Sequence, residues 1–416
     1  MIKEFSENFS IIGYPQLVRL NPNVPWKTRG NGAISIRIGK KGNVLSKIGK
    51  IDGKEIASSI DLTKDVDKSE YGKVKKIVNN SIEKYSKLDD QNTNPGFVCL
   101  DKKPNFSFYK KAVNQIVTIE ETKAFLKDLN AEFKGFKNSR GLIGATAAVA
   151  WTPIKDKTYE IISYRQPQQW GKKRDVDVNS VMEMDKIYTS TFDNYDYKNK
   201  HNRIAPNSPC PILFGIRGDN ADELVKASSI IKSEYFDSWL IFETNQGTDD
   251  HLVPKEIKNI QPYESVLSKG TLINDPHTIE GGHVIFSIED NNNIIDCAAY
   301  EPTKQFRNVI RRLKTGDMVK VCGGVRNQPL TINLEKIEVK NLTKIFEKIE
   351  NPICSKCKKH MKSVGTNQGF KCKICGTKKY KPKIMPMKRQ LQLGIYEVPV
   401  CARRHLSMPL KRMEKN

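Results

Sequence analysis

The chain reads as a multidomain α/β plus β protein, and three observations predict it. Pro211 to Glu243 patterns as strand, helix and strand; residues 266–342 break into short glycine-flanked strands with one helix among them; and Cys354-Ser-Lys-Cys357 is followed, after fourteen residues, by Cys372-Lys-Ile-Cys375. The first is a β-α-β unit, the second the layout of an OB-fold barrel, and the third the spacing of a zinc ribbon. At 416 residues the chain is too long for one core, and about two to four domains are expected.

Near the start, Ile11-Ile12-Gly13-Tyr14 and Leu17-Val18-Arg19-Leu20 read as extended segments parted by a turn at Pro15. Asn21 to Gly32 is loop, because its prolines and glycines exclude regular structure, and Ala33 to Ile38 alternates as a strand. The loop holds Lys27, Thr28, Arg29, Gly30, Asn31 and Gly32, the materials of a phosphate site: two cations, polar side chains and amides open to close approach. It lacks the Walker order, and Arg29 stands where the Lys-x-Asp-Gly motif of nucleotidyl-lysine ligases has Asp. A plain surface turn is the other reading of these residues.

Asp61 to Asp89 patterns as a polar, lysine-rich helix, Asn92 to Leu100 as a turn into a strand, and Ala112 to Leu129 as a helix. Gly141 to Ala150 is small and apolar, so this helix must lie close against a sheet; Arg140 and Gly141 could place a cation and an amide at its positive end. Tyr159 to Tyr164 follows as a strand. In the β-α-β unit the strands are 211–217 and 239–243 and the helix is 221–232. The last strand empties into Thr244-Asn-Gln-Gly-Thr-Asp-Asp-His251, whose polar side chains suit either a site or an ordinary capped turn.

The barrel strands are read at 270–273, 282–289, 294–300, 317–325 and 330–339, with a helix over 306–313 before the fourth. Beyond it, each Cys-x-x-Cys presents two thiolates, and four sulfur ligands leave a Zn²⁺ ion no open position, so the metal is structural. A redox pair or a disulfide would be open readings of one isolated Cys-x-x-Cys, not of two at this spacing. Cys99, Cys210, Cys297, Cys322 and Cys401 sit in apolar contexts and read as buried thiols.

Charge is concentrated at this end: residues 351–416 carry +15 of the chain's +23. Lys356, Lys358, Lys359, Lys362, Lys371 and Lys373 interleave with Phe370 and Tyr380. Such a run is usually a solvated face, but cations and rings on a rigid scaffold suit a single-stranded nucleic acid. The tail keeps apolar pieces at 391–396 and 398–402, so Arg403-Arg404-His405 reads as an ordered basic clip. A sequence pI near 9.5 implies a polyanionic partner. No apolar run reaches membrane-spanning length and no signal-peptide pattern opens the chain, so a cytoplasmic protein is expected.

Taken together in order, Gly13 to Gly32, Arg140 to Ala145, Thr191-Phe-Asp-Asn194, Phe214 to Gly218, Thr244 to Asp249, the barrel, the four-cysteine ribbon and Tyr396 to His405 resemble the archaeal tRNA-Ile 2-agmatinylcytidine synthetase family, TiaS. The resemblance covers nearly the whole chain. It implies a kinase-like catalytic domain (1–125), a ferredoxin-like domain with a continuation of the catalytic domain (126–262), an OB fold (266–342), a zinc ribbon (350–384) and a basic clip (385–416). It also implies an ATP-dependent ligase that phosphorylates the 2-carbonyl of the wobble cytidine of tRNA-Ile with a CAU anticodon. Agmatine then displaces the phosphate. ATP, Mg²⁺ and structural Zn²⁺ are the cofactors so implied, and no protein partner is.

On this resemblance, Lys27, Arg29 and Asp249 are the expected catalytic residues, and Lys27 to Gly32 with Arg140 and Gly141 the nucleotide site. Agmatine is a dication, so Asp193, Asp249 or Asp250 should hold its guanidinium. Arg217 and Asn245 belong to the same substrate site, while Lys356, Lys358, Phe370, Lys371, Arg403 and Arg404 should grip the tRNA. Family members begin with a strand and an Asp-Asp-Thr-Asp loop, whereas this chain begins Met1-Ile-Lys-Glu and has no Asp or Glu between Phe9 and Lys50; the expectation is a sequence truncated at its N-terminus, the alternative a protein that has lost that chemistry. The competing function class is a non-catalytic RNA-binding protein in which barrel and ribbon do everything; a single-stranded DNA binder is a third reading.

Overall fold

The computed structural model describes residues 1–26, 31–42, 46–59, 66–365 and 367–414. Its organising strand is Thr158–Tyr164, in which five of seven residues are buried. Ile212–Gly218 pairs antiparallel on one side and Ser238–Thr244 on the other. The two outer strands of the β-α-β unit therefore run parallel with a third strand inserted between them.

Helices Val178–Ile187 and Ala221–Ile230 cover one face. Each starts where a side chain accepts from the first free amides, Asp177 from Asn179 and Ser180, and Asn220 from Asp222 and Glu223. Beneath them Ile161, Leu213, Phe214, Ile216, Leu224 and Ile241 are buried. Ile162, Leu240 and Phe242 point to the opposite face and meet Ile11, Leu17, Ile48 and Ile56, as the two-residue period of a strand requires.

The free edge of Ser238–Thr244 forks. Trp239 and Leu240 pair with Ser46–Ile51, while Glu243 and Thr244 pair in parallel with Gln16 and Leu17. Gly49 permits the fork, since a Cβ there would lie 2.6 Å from the Trp239 carbonyl oxygen. One ten-stranded sheet thus contains strands from both sides of residue 125. The hairpin of Gln16–Arg19 with Gly32–Ser35 carries the helix Gly141–Ala150, whose Gly144 faces Leu20 and Ala33.

Two expected helices differ from observation. The 112–129 segment forms two, Phe106–Asn114 and Ile119–Asp128, because the Thr118 side chain accepts from the Glu121 amide and starts a new helix. The lysine-rich helix is shorter, Tyr71–Tyr85; residues 61–65 lie outside the described residues.

Ser265–Leu272, Met318–Arg326, Thr331–Asn341, Asn293–Ala299 and Val284–Asp290 form a ring that closes where Thr271 and Leu272 pair with Glu289 and Ile288. Phe306 and Ile310 of the helix Phe306–Ile310, with Leu313, help fill the closed five-stranded barrel. The ribbon stands on a two-stranded stem, Phe346–Glu350 with Lys383–Pro386. Below the stem Arg389 binds both carboxylate oxygens of buried Asp317 at 2.7 and 2.6 Å and the Thr343 carbonyl at 2.9 Å, pinning both legs to the barrel.

Gly394–Glu397 then adds to the barrel strand Thr331–Asn341, and the tail returns to the large sheet. The amides of Gly247 and Asp249 each donate to it at 2.8 Å, to the carbonyls of His405 and Leu406. Among the described residues no helix is long and apolar enough to cross a membrane.

Candidate active site and metal centre

The end of Ser238–Thr244 is where three parts of the chain meet: the Gln16–Arg19 hairpin strand, the 244–251 loop and the returning tail. Asn245 joins the first two, accepting from the Arg19 amide at 2.8 Å and donating to the Arg19 carbonyl at 2.9 Å and the Tyr109 hydroxyl at 2.7 Å. Gln246 accepts from Arg19 Nε at 3.2 Å and donates to Glu160 at 2.6 Å. Amides with both donor and acceptor arms can bridge a cation and an anion in this way.

Below them lies a buried ionic layer. Arg217 sits 3.5 Å from both Glu160 and Asp193, and Arg403 is ion-paired with Asp193 and Glu397. Burial depresses the basicity of Arg19 and Arg203 and raises the Glu397 carboxyl above its usual range. His405, beside Arg19, Arg217 and Arg203, is held well below the ordinary imidazole value, first by the Arg19 charge and then by burial. It is therefore neutral at pH 7. Such a cation-rich layer can stabilise a group carrying several negative charges.

Several expected site residues fall here and several do not behave as expected. Lys27, Thr28, Arg29 and Gly30 lie outside the described residues. Asn31 donates to the Asn21 carbonyl at 2.7 Å and Gly32 packs within reach of the Arg19 guanidinium, so the loop's base joins the layer. Arg140 stacks on Trp26, 4.8 Å from the ring centre, which brings it beside the loop. Gly141 corrects its expectation: its amide donates to the Asn94 carbonyl at 2.9 Å and the residue packs against Pro95 and Gly96, so no free amide faces a phosphate.

Asp193 and Asp249 are each already paired with buried cations, Asp249 with Lys336 and the Met408 amide. Asp250 differs. It accepts from the Tyr109 hydroxyl at 2.8 Å, no cation is paired with it among the described residues, and burial raises its pKa. Arg403 is a buried ion-pair partner and not an open cationic surface, while Arg404 is half-exposed, donating to Asn23 at 2.6 Å and lying 3.3 Å from Glu335.

Glu160, Arg203 and Tyr109 were not singled out by sequence, and Gln246 and His405 only as members of the 244–251 loop and the basic clip. A signal existed: Glu160 is the one charge inside the apolar strand Thr158–Tyr164, as Arg217 is within Ile212–Gly218. A charge on a buried face demands a partner.

In the ribbon the four thiols of Cys354, Cys357, Cys372 and Cys375 lie within 4.8 Å of one another. So close, they compete for protons: neighbouring thiols push Cys357 up to about 12, while Thr377 hydrogen bonds take Cys375 down to about 6. A divalent cation removes that conflict by accepting four thiolates. Lys356, Lys358, Lys371, Lys373 and Tyr380 are exposed. Phe370 corrects its expectation, being buried with Cys354, Met361 and Cys372 as the ribbon's small core. Among the described residues no other group of three or more His, Cys, Asp or Glu is placed to hold a metal. The carboxylates around the layer are taken by arginine, lysine or tyrosine, a set that does not fit Mg²⁺, which needs free carboxylate oxygens.

Comparison with known proteins matches the descriptions TiaS TCKD domain over residues 1–138, TiaS FLD domain over 139–251 and TiaS C-terminal zinc ribbon domain over 351–391. The tRNA(Ile2) 2-agmatinylcytidine synthetase TiaS of Methanocaldococcus jannaschii is 43% identical over 413 residues, 97% of this chain and 91% of that protein. The chain belongs to the TiaS family. The TiaS of Archaeoglobus fulgidus is 41% identical, over 97% of this chain and 90% of its own length. Among solved structures, a TiaS–tRNA(Ile2)–ATP complex superposes with a TM-score of 0.84 at 40% identity, covering 99% of this chain and 92% of that one. A TiaS–tRNA(Ile2)–AMPCPP–agmatine complex does so at 0.82 and 37%, covering 99% and 91%. The fourfold cysteine cluster is accordingly the TiaS zinc ribbon.

Proposed function

We propose that this chain joins agmatine to carbon 2 of the wobble cytidine of tRNA(Ile2) at the expense of ATP. The observation that carries the reading is the meeting of hairpin strand, strand-exit loop and tail in one cation-rich layer, in a chain that matches over 99% of its length TiaS proteins solved with tRNA(Ile2), ATP and agmatine. The fold supports two finer assignments: the strand-inserted β-α-β unit is the core of a ferredoxin-like domain, and the sheet's forked half with its helices is the kinase-like part.

An amide-like carbonyl oxygen leaves poorly, and a phosphoryl group transferred from ATP turns it into a good leaving group. The Lys27–Gly32 loop holds the phosphates, helped by Arg140, which stacks on the preceding Trp26, and by Arg19, which packs against Gly32. Agmatine's amine then attacks carbon 2 and phosphate departs. Asp250 is the carboxylate that receives the guanidinium, because it is half-buried and has no cation paired with it among the described residues. The ribbon lysines and Tyr380 hold the RNA while the cytidine leaves its stack.

Mass spectrometry of nucleosides from a tRNA(Ile2) transcript incubated with the protein, ATP and agmatine tests this. 2-Agmatinylcytidine, absent when ATP is omitted, is expected; an unmodified transcript that nonetheless binds the protein would overturn it.

A further inference from the structure

Apart from the ionic layer, the structure holds an open cavity of about 380 Å³ where the Pro22–Asn23 loop, the barrel and the tail meet. Its lining is polar: Gln328 and Asn333 offer amide edges, Arg326 and the half-exposed Arg404 offer guanidinium groups, and Asn23 is already hydrogen-bonded into the wall. The Asn333 side-chain oxygen is buried and accepts no hydrogen bond among the described residues. Tyr263, on the cavity wall, holds a left-handed backbone at φ 68°, which a bulky side chain rarely adopts. The strained carbonyl of Tyr263 is fixed by the Asn21 side chain at 2.9 Å, and Asn23 is fixed by the Glu264 carbonyl and the Ser265 hydroxyl at 2.8 Å each. The walls are thus rigid before any ligand arrives. Gly324 shapes them, since a Cβ there would meet the Asn23 oxygen at 2.1 Å and Arg404 at 2.7 Å.

Amide edges read hydrogen-bonding rims, a ring supplies a stacking face, and guanidinium groups hold phosphate; together they match one unpaired nucleotide. We propose that this cavity seats a single unpaired nucleotide of the RNA substrate, outside the reacting position. The inference rests on the proposed function. It also places a bound nucleotide against the loop that leads to Lys27, because Asn21, which grips Tyr263, accepts from Asn31 at 2.7 Å through its carbonyl.

Arg326 and Gln328 are exposed, so the R326A/Q328A protein should fold with its zinc content intact. Filter binding of a tRNA(Ile2) transcript and of a blunt RNA duplex would be compared with the parent. About a tenfold loss of affinity for the transcript, with the duplex changed by less than about twofold, is expected. Transcript affinity within about twofold of the parent, or an equal loss on the duplex, would overturn the assignment. Failure of the parent to form 2-agmatinylcytidine would instead remove the functional reading, and the two results are separable because binding is measured without ATP or agmatine.

Discussion

In the ribbon, Lys356, Lys358, Lys371 and Lys373 stand in solvent around a core of little more than Cys354, Met361, Phe370 and Cys372. Around Asp193, Arg217 and Arg403 are enclosed and paired with carboxylates from distant parts of the chain. The two regions carry the same sign of charge toward different ends. Flexible, strongly hydrated ammonium groups suit a polyanion that must come and go, whereas the weakly hydrated guanidinium fork tolerates burial and ties segments together. The ribbon's stability depends on its metal; the layer's depends on every charge keeping its partner.

The largest break in this comparison is Cys372→Ser. With one thiolate gone the ribbon should lose zinc and unfold, since structural zinc contributes on the order of 10 kcal/mol in such small modules. Metal analysis should show sub-stoichiometric zinc and proteolysis should remove the ribbon, while the barrel and large sheet keep their melting transition. Loss of the whole fold would show that the two regions are not separable.

Next is Arg403→Ala, which takes from Asp193 its nearest arginine among the described residues, leaving the more distant Arg217 and Arg203, and leaves Glu397 without its arginine. Denaturant unfolding should show a loss of about 3–5 kcal/mol, and Arg403→Lys should restore little because a strongly hydrated ammonium lacks the planar fork that spans the two carboxylates. A loss below about 1 kcal/mol would mean the arginine is solvated after all.

The ribbon's lysines should give the opposite result. Replacing Lys356, Lys358 and Lys371 by Gln should leave unfolding free energy within about 0.5 kcal/mol, yet lower the salt dependence of transcript binding by about two logarithmic units. An unchanged slope would take RNA binding away from this face.

The smallest effect is on pH. The folded-state pKa of His405 is depressed, so below its ordinary value of 6.5 the unfolded chain takes up a proton that the folded one refuses. Stability contributed above pH 6.5 should therefore fall as pH drops below it. His405→Gln should flatten that limb, and an unchanged profile between pH 6.5 and 5 would assign the dependence elsewhere.

Elements with a simple period were legible in the sequence. Thr158–Tyr164, Ile212–Gly218, Ser238–Thr244 and the barrel strands follow from alternation, Gly141–Ala150 from its small residues, and the metal centre from cysteine spacing alone. Phe370 was misread because an aromatic among lysines looks exposed, whereas a ribbon this small needs its phenyl ring inside, leaving the hydroxyl-bearing ring of Tyr380 in solvent. Gly141 was misread because a helix N-terminus looks open until a neighbouring loop occupies it.

By itself the sequence determined what is local: which segments become strands, that four sulfurs meet, and that the ribbon's lysines face solvent. Only the tertiary structure decided which charges are paired. Arg403 and Asp193 are separated by 210 positions and Asn245 and Arg19 by 226, and no periodicity reaches that far. Whether an arginine grips RNA or a buried carboxylate depends on what the folded chain brings beside it, because a charge removed from water is stable only opposite its counterpart.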